Sequence, residues 1–163
     1  MLIGILSDSH GRVDTTRIAV ASLTARGAEL LVHLGDLGSC EVVDELVGVN
    51  ARIVLGNCDW PEAPLLRHAR AMDVRVDHPR GHIEIAGRSI AFTHGHLEHL
   101  VRQSLDDRAD YLLLGHTHEA RDERIGSTRV INPGALFRTA RYTAALLDPV
   151  ADSLEFIEIP GWG

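Results

Sequence analysis

Carboxylate, amide and imidazole side chains recur in this chain directly after short apolar runs. The first run, Leu2-Ile3-Gly4-Ile5-Leu6, precedes Asp8 and His10, and four later runs end in the same way. Across the five run ends, the side chains are Asp8, His10, Asp36, Asn57, His94, His116 and His118. These groups are ligands for divalent metal ions, and no thiolate of a structural zinc site is needed. Two ions that share one carboxylate would use the whole set.

The first motif taken alone favours a simpler interpretation, because Asp and Ser residues before a helix commonly cap its N-terminus. The repetition argues against capping. Three of the later side chains, Asp36, Asn57 and His116, each follow a glycine. Glycine allows a sharp turn and leaves room for another group to approach. We therefore interpret the run ends as parts of one binding site.

Charge indicates which substrate such a site would take. Two divalent ions, the carboxylates of Asp8 and Asp36 and a bridging hydroxide leave about one net positive charge, which suits an anionic phosphoryl group. Two ions about 3.5–4 Å apart also generate hydroxide near neutral pH and stabilise an in-line displacement. The residues therefore predict hydrolysis of a phosphate ester without a serine or cysteine nucleophile.

The elements that must position these side chains follow from the hydrophobic pattern. Short apolar runs are typical of strands buried on both faces of a parallel sheet, whose carboxyl ends open into a ligand-binding crevice. The strands and helices predicted in the first third are, in order, 2–6, 14–26, 30–34, 40–47 and 52–55. This β-α-β-α-β order predicts a parallel sheet with right-handed crossovers. A stiff loop at 60–64 follows, and no element is predicted from there to residue 70.

The second half is predicted to be richer in hairpins. Ala86-Gly87 and Gly126-Ser127 are two-residue turn signals between apolar runs. A helix over 97–107 and a strand at 111–114 separate these hairpins, and Asn132-Pro133-Gly134 predicts a turn. The strands predicted at 142–148 and 153–159 form a closing antiparallel pair. Parallel strands followed by hairpins predict an α/β fold in which two mixed sheets pack face to face with helices outside.

Whole-chain properties limit the possible functions. The 163 residues predict a single domain over 1–163, and the net charge of −7 with no basic run disfavours nucleic acids and anionic membranes as partners. The two cysteines, Cys40 and Cys58, form no C-x-x-C pattern, which fits a reducing compartment. The first apolar run is too short for a signal peptide, and no stretch is long enough to span a membrane. A cytoplasmic protein is predicted.

The order of the motifs resembles that of the calcineurin-like metallophosphoesterases, in particular the small single-domain phosphodiesterases of bacteria and archaea. The motifs that carry the resemblance are Asp8-Ser9-His10, Gly35-Asp36, Gly56-Asn57-Cys58-Asp59, Thr93-His94-Gly95-His96 and Gly115-His116-Thr117-His118. The similarity extends from Met1 to about Asp148 and includes Asn132-Pro133-Gly134. It implies a four-layer α/β/β/α sandwich built on one metallophosphoesterase domain.

The resemblance also implies how two ions would be held, with Asp36 as the bridge. The ligands it implies for one ion are Asp8, His10, Asp36 and His118. Those implied for the other are Asp36, Asn57, His94 and His116. Manganese is the cofactor implied first, with nickel, iron or zinc as alternatives, because the ligand types do not choose among these metals.

One position departs from the wider family. Cys58 stands where many members have a histidine that stabilises the transition state or protonates the leaving group, although the small phosphodiesterases also have Cys there. The candidate catalytic residues are Asp8, His10, Asp36, Asn57, Cys58 and His94. Arg12 is a candidate contact to a phosphate oxygen and His96 a candidate lining residue of the substrate pocket, although solvation and a plain loop position explain them nearly as well. His33 is predicted to be a core histidine, His78 a surface residue and Trp60 a packing residue.

Three functions fit these residues. The leading one is a metal-dependent phosphodiesterase, acting on a small diester through a hydroxide that bridges two metal ions. The second is a phosphomonoesterase or nucleotidase, because a site with about one positive charge also accepts a dianion. The third is a non-catalytic scaffold like the retromer subunit of the same fold, whose relatives have lost several metal ligands. A homodimer is possible by analogy with the family.

Overall fold

The computed structural model describes residues 1–161 and contains eleven strands and four helices. In chain order these are β1 (Leu2–Leu6), α1 (Val13–Ala25), β2 (Ala28–His33), α2 (Cys40–Asp44), β3 (Ala51–Ile53), α3 (Glu62–Ala71), β4 (Arg75–Val76), β5 (Arg80–Ile85), β6 (Arg88–Thr93), α4 (Glu98–Asp106), β7 (Tyr111–Leu113), β8 (Ala120–Ile125), β9 (Thr128–Pro133), β10 (Thr143–Asp148) and β11 (Ser153–Glu158). No helix within these residues is long and apolar enough to cross a bilayer.

The strands form two mixed sheets, as predicted. The first sheet has the order β11-β10-β1-β2-β3-β4. Strands β1 to β4 run parallel, β10 runs antiparallel to β1, and β11 runs antiparallel to β10. The second has the order β5-β6-β7-β9-β8, in which β6, β7 and β9 run parallel. The edge strands β5 and β8 form the two predicted hairpins with β6 and β9. The carboxyl ends of β1, β2, β3, β6 and β7 carry the motifs found in the sequence.

Three apolar layers hold the sheets and helices together. Ile3 and Ile5 of β1 meet Phe92 and Leu113 of the second sheet in the core between the sheets. A second apolar cluster joins the opposite face of the first sheet to α1, α2 and α3, and a smaller one joins the second sheet to α4. Helices thus cover both outer faces, and the α/β/β/α sandwich is confirmed.

Several element boundaries differ from those predicted. Helix α3 occupies part of the stretch for which no element was predicted. It tolerates Pro64 because this residue lies in the first turn, where a missing N–H costs no helical hydrogen bond. Only Leu65 and Ala69 of α3 are buried, so the hydrophobic periodicity that would predict this helix from the sequence is weak. Helix α2 ends at Asp44, three residues before the predicted end. Asn132 and Pro133 belong to β9, and the chain turns only at Gly134, where φ is +85°.

Candidate metal centre

The loops after β1 and β2 are joined by their backbones. The N–H of Asp8 donates to the carbonyl of Gly35 (3.0 Å), and the N–H of His10 donates to the carbonyl of Asp36 (2.8 Å). Parallel pairing of β1 with β2 therefore continues past the strand ends and places the two motifs side by side. The convergence expected from the sequence is achieved by main-chain contacts.

Five of the predicted ligands have a left-handed backbone. Their φ angles lie between 44° and 71°, a region that costs a residue with a side chain about 1–3 kcal/mol. These residues are Asp8, His10, Asp36, His116 and His118. Such strain persists only where the surrounding structure enforces it, and it is concentrated at functional sites.

The glycines before the ligands are required by neighbouring loops. A Cβ atom on Gly35 would lie 2.7 Å from the nitrogen of Gly56 and 2.9 Å from Nδ1 of His94, and the φ of Gly35 is +99°. A Cβ on Gly56 would lie 2.5 Å from the nitrogen of Asp36. Glycine was predicted to leave space for another group to approach, and the groups that approach are atoms of the neighbouring loops that carry the other candidate ligands.

Asp8, His10 and His118 form the first group of ligand atoms. Oδ1 of Asp8 lies 3.1 Å from Nε2 of His118 and 3.9 Å from Nε2 of His10, and the two imidazole Nε2 atoms are 3.3 Å apart. Oδ2 of Asp8 accepts hydrogen bonds from Oγ of Ser7 (2.5 Å) and from the N–H of His116 (3.1 Å). These bonds direct Oδ1 toward the histidines.

Oδ1 of Asp8 tests whether this group fits a metal ion. It is buried and has no hydrogen-bond partner among residues 1–161. A buried carboxylate oxygen without a partner is costly, and a divalent cation would satisfy it. The three ligand atoms lie within 4.8 Å of one another, so the donor set fits a metal ion.

A second group forms around His94. Nδ1 of His94 donates to the carbonyl of Leu34 (2.7 Å), which leaves the lone pair of Nε2 directed into the site. Oδ1 of Asn57 lies 3.2 Å from this Nε2 atom. The ring of His116 lies next to that of His94, with 5.1 Å between centroids. His94, Asn57 and His116 are therefore neighbours, as the resemblance implies.

Asp36 lies between the two groups. Its Oδ2 atom is 3.6 Å from Nε2 of His10 and 3.5 Å from Nε2 of His94. Its Oδ1 atom accepts the N–H of Cys58 (2.8 Å), which fixes the orientation of the carboxylate. Asp36 thus places one carboxylate oxygen between an imidazole of the first group and an imidazole of the second.

Proton affinities in the site are shifted by these contacts. Burial alone raises the pKa of Asp36, but contacts with His94 and the N–H of Cys58 outweigh burial and bring the pKa below its ordinary range. Burial lowers the pKa of His94, whereas Asp36 and Asp8 raise it more, so the net pKa is raised. The buried carboxylates therefore favour positive charge between them, which a proton on His94 or a divalent ion can supply.

Cys58 lies over the first group with its thiol exposed. Its Sγ atom is within 4.8 Å of the ligand atoms of His10 and Asp36, and it accepts a hydrogen bond from the amide of Asn57 (3.4 Å). Burial, followed by contact with Asp36, raises the pKa of the thiol. Cys58 is therefore a neutral, weak hydrogen-bond donor beside His10 and Asp36.

The two candidate substrate contacts lie on different sides of the site. The ring of His96 is 5.3 Å from that of His94, and its Nδ1 atom is buried without a partner in the part of the chain that the structure describes. The guanidinium of Arg12 is instead stacked 4.5 Å from the centroid of the Phe137 ring. Phe137 in turn lies beside His10, with 5.6 Å between ring centroids.

Three further side chains test the sequence predictions. His33 is a buried core histidine, as predicted: Nδ1 accepts the N–H of Gly35 (3.2 Å), Nε2 contacts Oγ of Ser9 (2.8 Å), and burial lowers its pKa to about 3. His78 is half-buried rather than on the surface, because it accepts the N–H of Leu55 (3.2 Å). Trp60 is 81% exposed, so its predicted packing role is wrong.

Ser7 and Asn132 support the site but were not singled out as site residues. Ser7 orients Asp8, and the amide nitrogen of Asn132 donates to the carbonyl of Gly115 (2.8 Å) and to Oγ1 of Thr117 (3.1 Å). Asn132 thereby fixes the loop that carries His116. Its place in the Asn132-Pro133-Gly134 motif was the available signal, whereas nothing in the sequence marks Ser7.

The family assignment follows from a match over most of the chain. A family model described as the calcineurin-like phosphoesterase superfamily domain matches residues 1–152. The chain belongs to this superfamily. Members of the calcineurin-like phosphoesterase superfamily use divalent metal ions, in agreement with the clustered Asp and His side chains of this site.

Individual members of the calcineurin-like superfamily show the same relationship. Phosphodiesterase MJ0936 of Methanocaldococcus jannaschii is 30% identical over 167 residues, 98% of both chains. Phosphodiesterase YfcE of Escherichia coli K12 is 26% identical over 151 residues, 83% of this chain and 79% of YfcE. The solved structure of a novel archaeal phosphodiesterase superposes with a TM-score of 0.87 at 27% identity, covering 98% of this chain and 100% of the other.

Proposed function

We propose that this chain is a metal-dependent phosphodiesterase that uses two divalent ions and acts on a small phosphodiester. The observation that carries the proposal is the position of Asp36, whose Oδ2 atom lies within 3.6 Å of both His10 and His94. A carboxylate between two groups of imidazoles is the arrangement that two ions sharing one ligand require.

The proposed ligands follow the two groups. Asp8, His10, Asp36 and His118 would hold the first ion. Asp36, Asn57, His94 and His116 would hold the second. When bound, the two ions would supply a bridging hydroxide as the nucleophile and Lewis acidity at the phosphoryl oxygens. Manganese is proposed first, and nickel, iron and zinc remain alternatives because N and O ligands serve all four.

The chain's own side chains would then set the geometry of the reaction. Ser7 and the N–H of His116 hold Asp8, and the N–H of Cys58 holds Asp36, so both carboxylates are oriented before the ions bind. This preorganisation is how supporting residues tune a metal site. The neutral thiol of Cys58 is a weak hydrogen-bond donor, so it would help a leaving group far less than an imidazolium would.

The substrate is proposed to be a diester because of charge and space. A site with about one net positive charge matches the single negative charge of a phosphodiester. A cavity of about 560 Å³ extends from His96 along α4 to Asp106 and could accommodate one ester group. MJ0936 and YfcE are both named phosphodiesterases, which favours the same reaction here. We further propose that no nucleic acid is a partner, in keeping with the net charge of −7. We also propose a cytoplasmic location, in keeping with the free thiols of Cys40 and Cys58.

Paired substrates test the proposal. Metal-stripped protein would be supplied with Mn²⁺, Ni²⁺ or Zn²⁺ and assayed with bis(4-nitrophenyl) phosphate and 4-nitrophenyl phosphate. We expect the diester to be hydrolysed with the larger kcat/KM, and a chelator to abolish turnover. A preference for the monoester would instead establish the phosphomonoesterase alternative. Stoichiometric metal with no turnover of either ester would support the scaffold.

A further inference from the structure

Two arginines far apart in sequence lie on one aromatic ring beside the candidate metal centre. The guanidinium carbon of Arg12 is 4.5 Å from the centroid of Phe137, and that of Arg138 is 5.2 Å from it. Both arginines are exposed and Phe137 is half-buried. An aromatic face attracts each cation and holds it with less freedom than water would allow.

Neither guanidinium has an anionic partner among the residues that the structure describes. Most arginines of this acidic chain form ion pairs, but Arg12 and Arg138 form none within residues 1–161. Two like charges held near one ring repel each other. A dianion bound between them would remove the repulsion and accept hydrogen bonds from both guanidinium groups.

We propose that Arg12 and Arg138, held on Phe137, form a second anion site, and that the substrate is a phosphodiester carrying a phosphomonoester on one ester group. This inference rests on the proposed function and names its substrate class. Because the guanidinium carbons lie 4.5 Å and 5.2 Å from the centroid of one ring, their separation cannot exceed the sum of these two distances. One phosphate with a bridging water can span such a distance.

The position of the ring relates this anion site to the reacting phosphate. Phe137 contacts the ring of His10, whose Nε2 atom faces Asp8 and Asp36. The ring centroids of Phe137 and His10 are 5.6 Å apart, so the second phosphate would lie on the His10 side of the centre, joined to the reacting phosphate by a short spacer such as a sugar. The large cavity beside His96 lies beyond the opposite group of ligands and would receive the other ester group.

The surroundings of Arg12 also leave room for an anion. A cavity of about 240 Å³ against the first turn of α1 is lined by Gly11, Arg12 and Thr15, among others. Asp14, the acidic residue at this cavity, is paired with Arg17 at 2.9 Å. Its charge is therefore partly neutralised by a residue other than Arg12.

A matched pair of substrates tests the second anion site. Thymidine 3′-(4-nitrophenyl phosphate) and its 5′-phosphorylated form share the reacting diester and differ only in the second phosphate. We expect the 5′-phosphorylated form to have a kcat/KM about tenfold or more higher, mainly through a lower KM, because charge-assisted hydrogen bonds are involved. The Arg12→Gln/Arg138→Gln double variant should bring the ratio of the two kcat/KM values near one. Arg67→Gln, which changes an exposed arginine on α3, should keep the ratio.

A second measurement does not depend on turnover. Binding of thymidine 5′-phosphate to the chelator-treated protein would be followed by calorimetry. We expect the double variant to weaken binding about tenfold and Arg67→Gln to leave it unchanged. Equal binding by all three proteins would overturn the anion site whatever the catalytic result. If the wild-type enzyme hydrolyses both diesters with nearly equal kcat/KM, the anion site is overturned and the proposed phosphodiesterase activity stands. If the metal-loaded protein hydrolyses neither diester, the proposed function is refuted, and the binding measurement alone decides on the anion site.

Discussion

Ser7→Ala offers a test of how the candidate centre is preorganised. Ser7 is fully buried; its hydroxyl donates to Oδ2 of Asp8 at 2.5 Å and packs against Gly115. The N–H of His116 is the other donor to this oxygen, at 3.1 Å. Ser7→Ala therefore removes the shorter of two bonds that direct Oδ1 of Asp8 into the site, while keeping the volume of the side chain nearly constant.

The expected magnitude follows from that bond. A hydrogen bond to a charged group contributes about 1.5–3 kcal/mol, and loss of a residue that orients a metal ligand commonly lowers affinity or activity about 10–100-fold. We expect metal affinity to fall within this range, with kcat recovering largely at saturating metal because Asp8 itself remains. Calorimetric titration with Mn²⁺ and kcat against metal concentration would measure both quantities.

A matched control separates orientation from simple loss of a buried hydroxyl. Ser104 is equally buried, and its hydroxyl donates to the carbonyl of Leu100 and accepts from Arg80. Ser104→Ala should lower stability without changing metal affinity. Metal affinity within twofold of wild type in Ser7→Ala, or equal losses in the two variants, would show that Ser7 does not position Asp8.

The remaining predictions concern the metals, the core and the leaving group. Asp36→Ala should abolish turnover and lower metal content at both positions, measured by elemental analysis, because the bridging charge between two cations is lost; two retained metals with normal turnover would contradict the assignment. Chelation should abolish activity but leave the far-UV circular dichroism spectrum largely unchanged, because the apolar layers do not depend on metal. His33 has its folded-state pKa lowered to about 3, so the unfolded chain binds the extra proton below pH 6.5 and stability is lost as pH falls. Urea unfolding of wild type and His33→Gln at pH 7 and pH 5 should show a pH-dependent loss about 2 kcal/mol smaller in the variant. Cys58→His should raise turnover of alkyl diesters more than that of aryl diesters, which need little protonation; inactivity of Cys58→Ala with both metals bound would assign the thiol a direct role.

The sequence was sufficient to predict which side chains meet at the centre. Parallel strands end at a common edge, so residues placed just after β1, β2 and β3 converge whatever their separation along the chain. The same argument brings His94 and His116 together through β6 and β7. Spacing from a strand end is a local property, and the convergence follows from sheet geometry alone.

Features that depend on tertiary contacts were not predictable in this way. Helix α3 carries few buried side chains and a proline, so its local pattern is weak although the first sheet supports it. The burial of His78 depends on the backbone of Leu55, and the orientation of Asp8 on Ser7. Arg12 and Arg138 share one ring only because the fold brings Phe137, more than a hundred residues along the chain, beside Arg12. The hydrophobic periodicity of the sequence does not predict a contact between residues so far apart.

The left-handed backbone of the proposed ligands would place catalysis and stability in opposition. Glycine adopts a positive φ without the penalty of about 1–2 kcal/mol that a side chain brings there. Replacing His10 or His118 by glycine would therefore remove a proposed metal ligand and also relieve backbone strain, a gain that the greater freedom of the unfolded chain offsets only in part. Mutations that replace these histidines and leave an inactive scaffold would therefore not be opposed by a large loss of folding stability. Selection for turnover would be what retains the histidines, so a gene freed from that selection should lose them early.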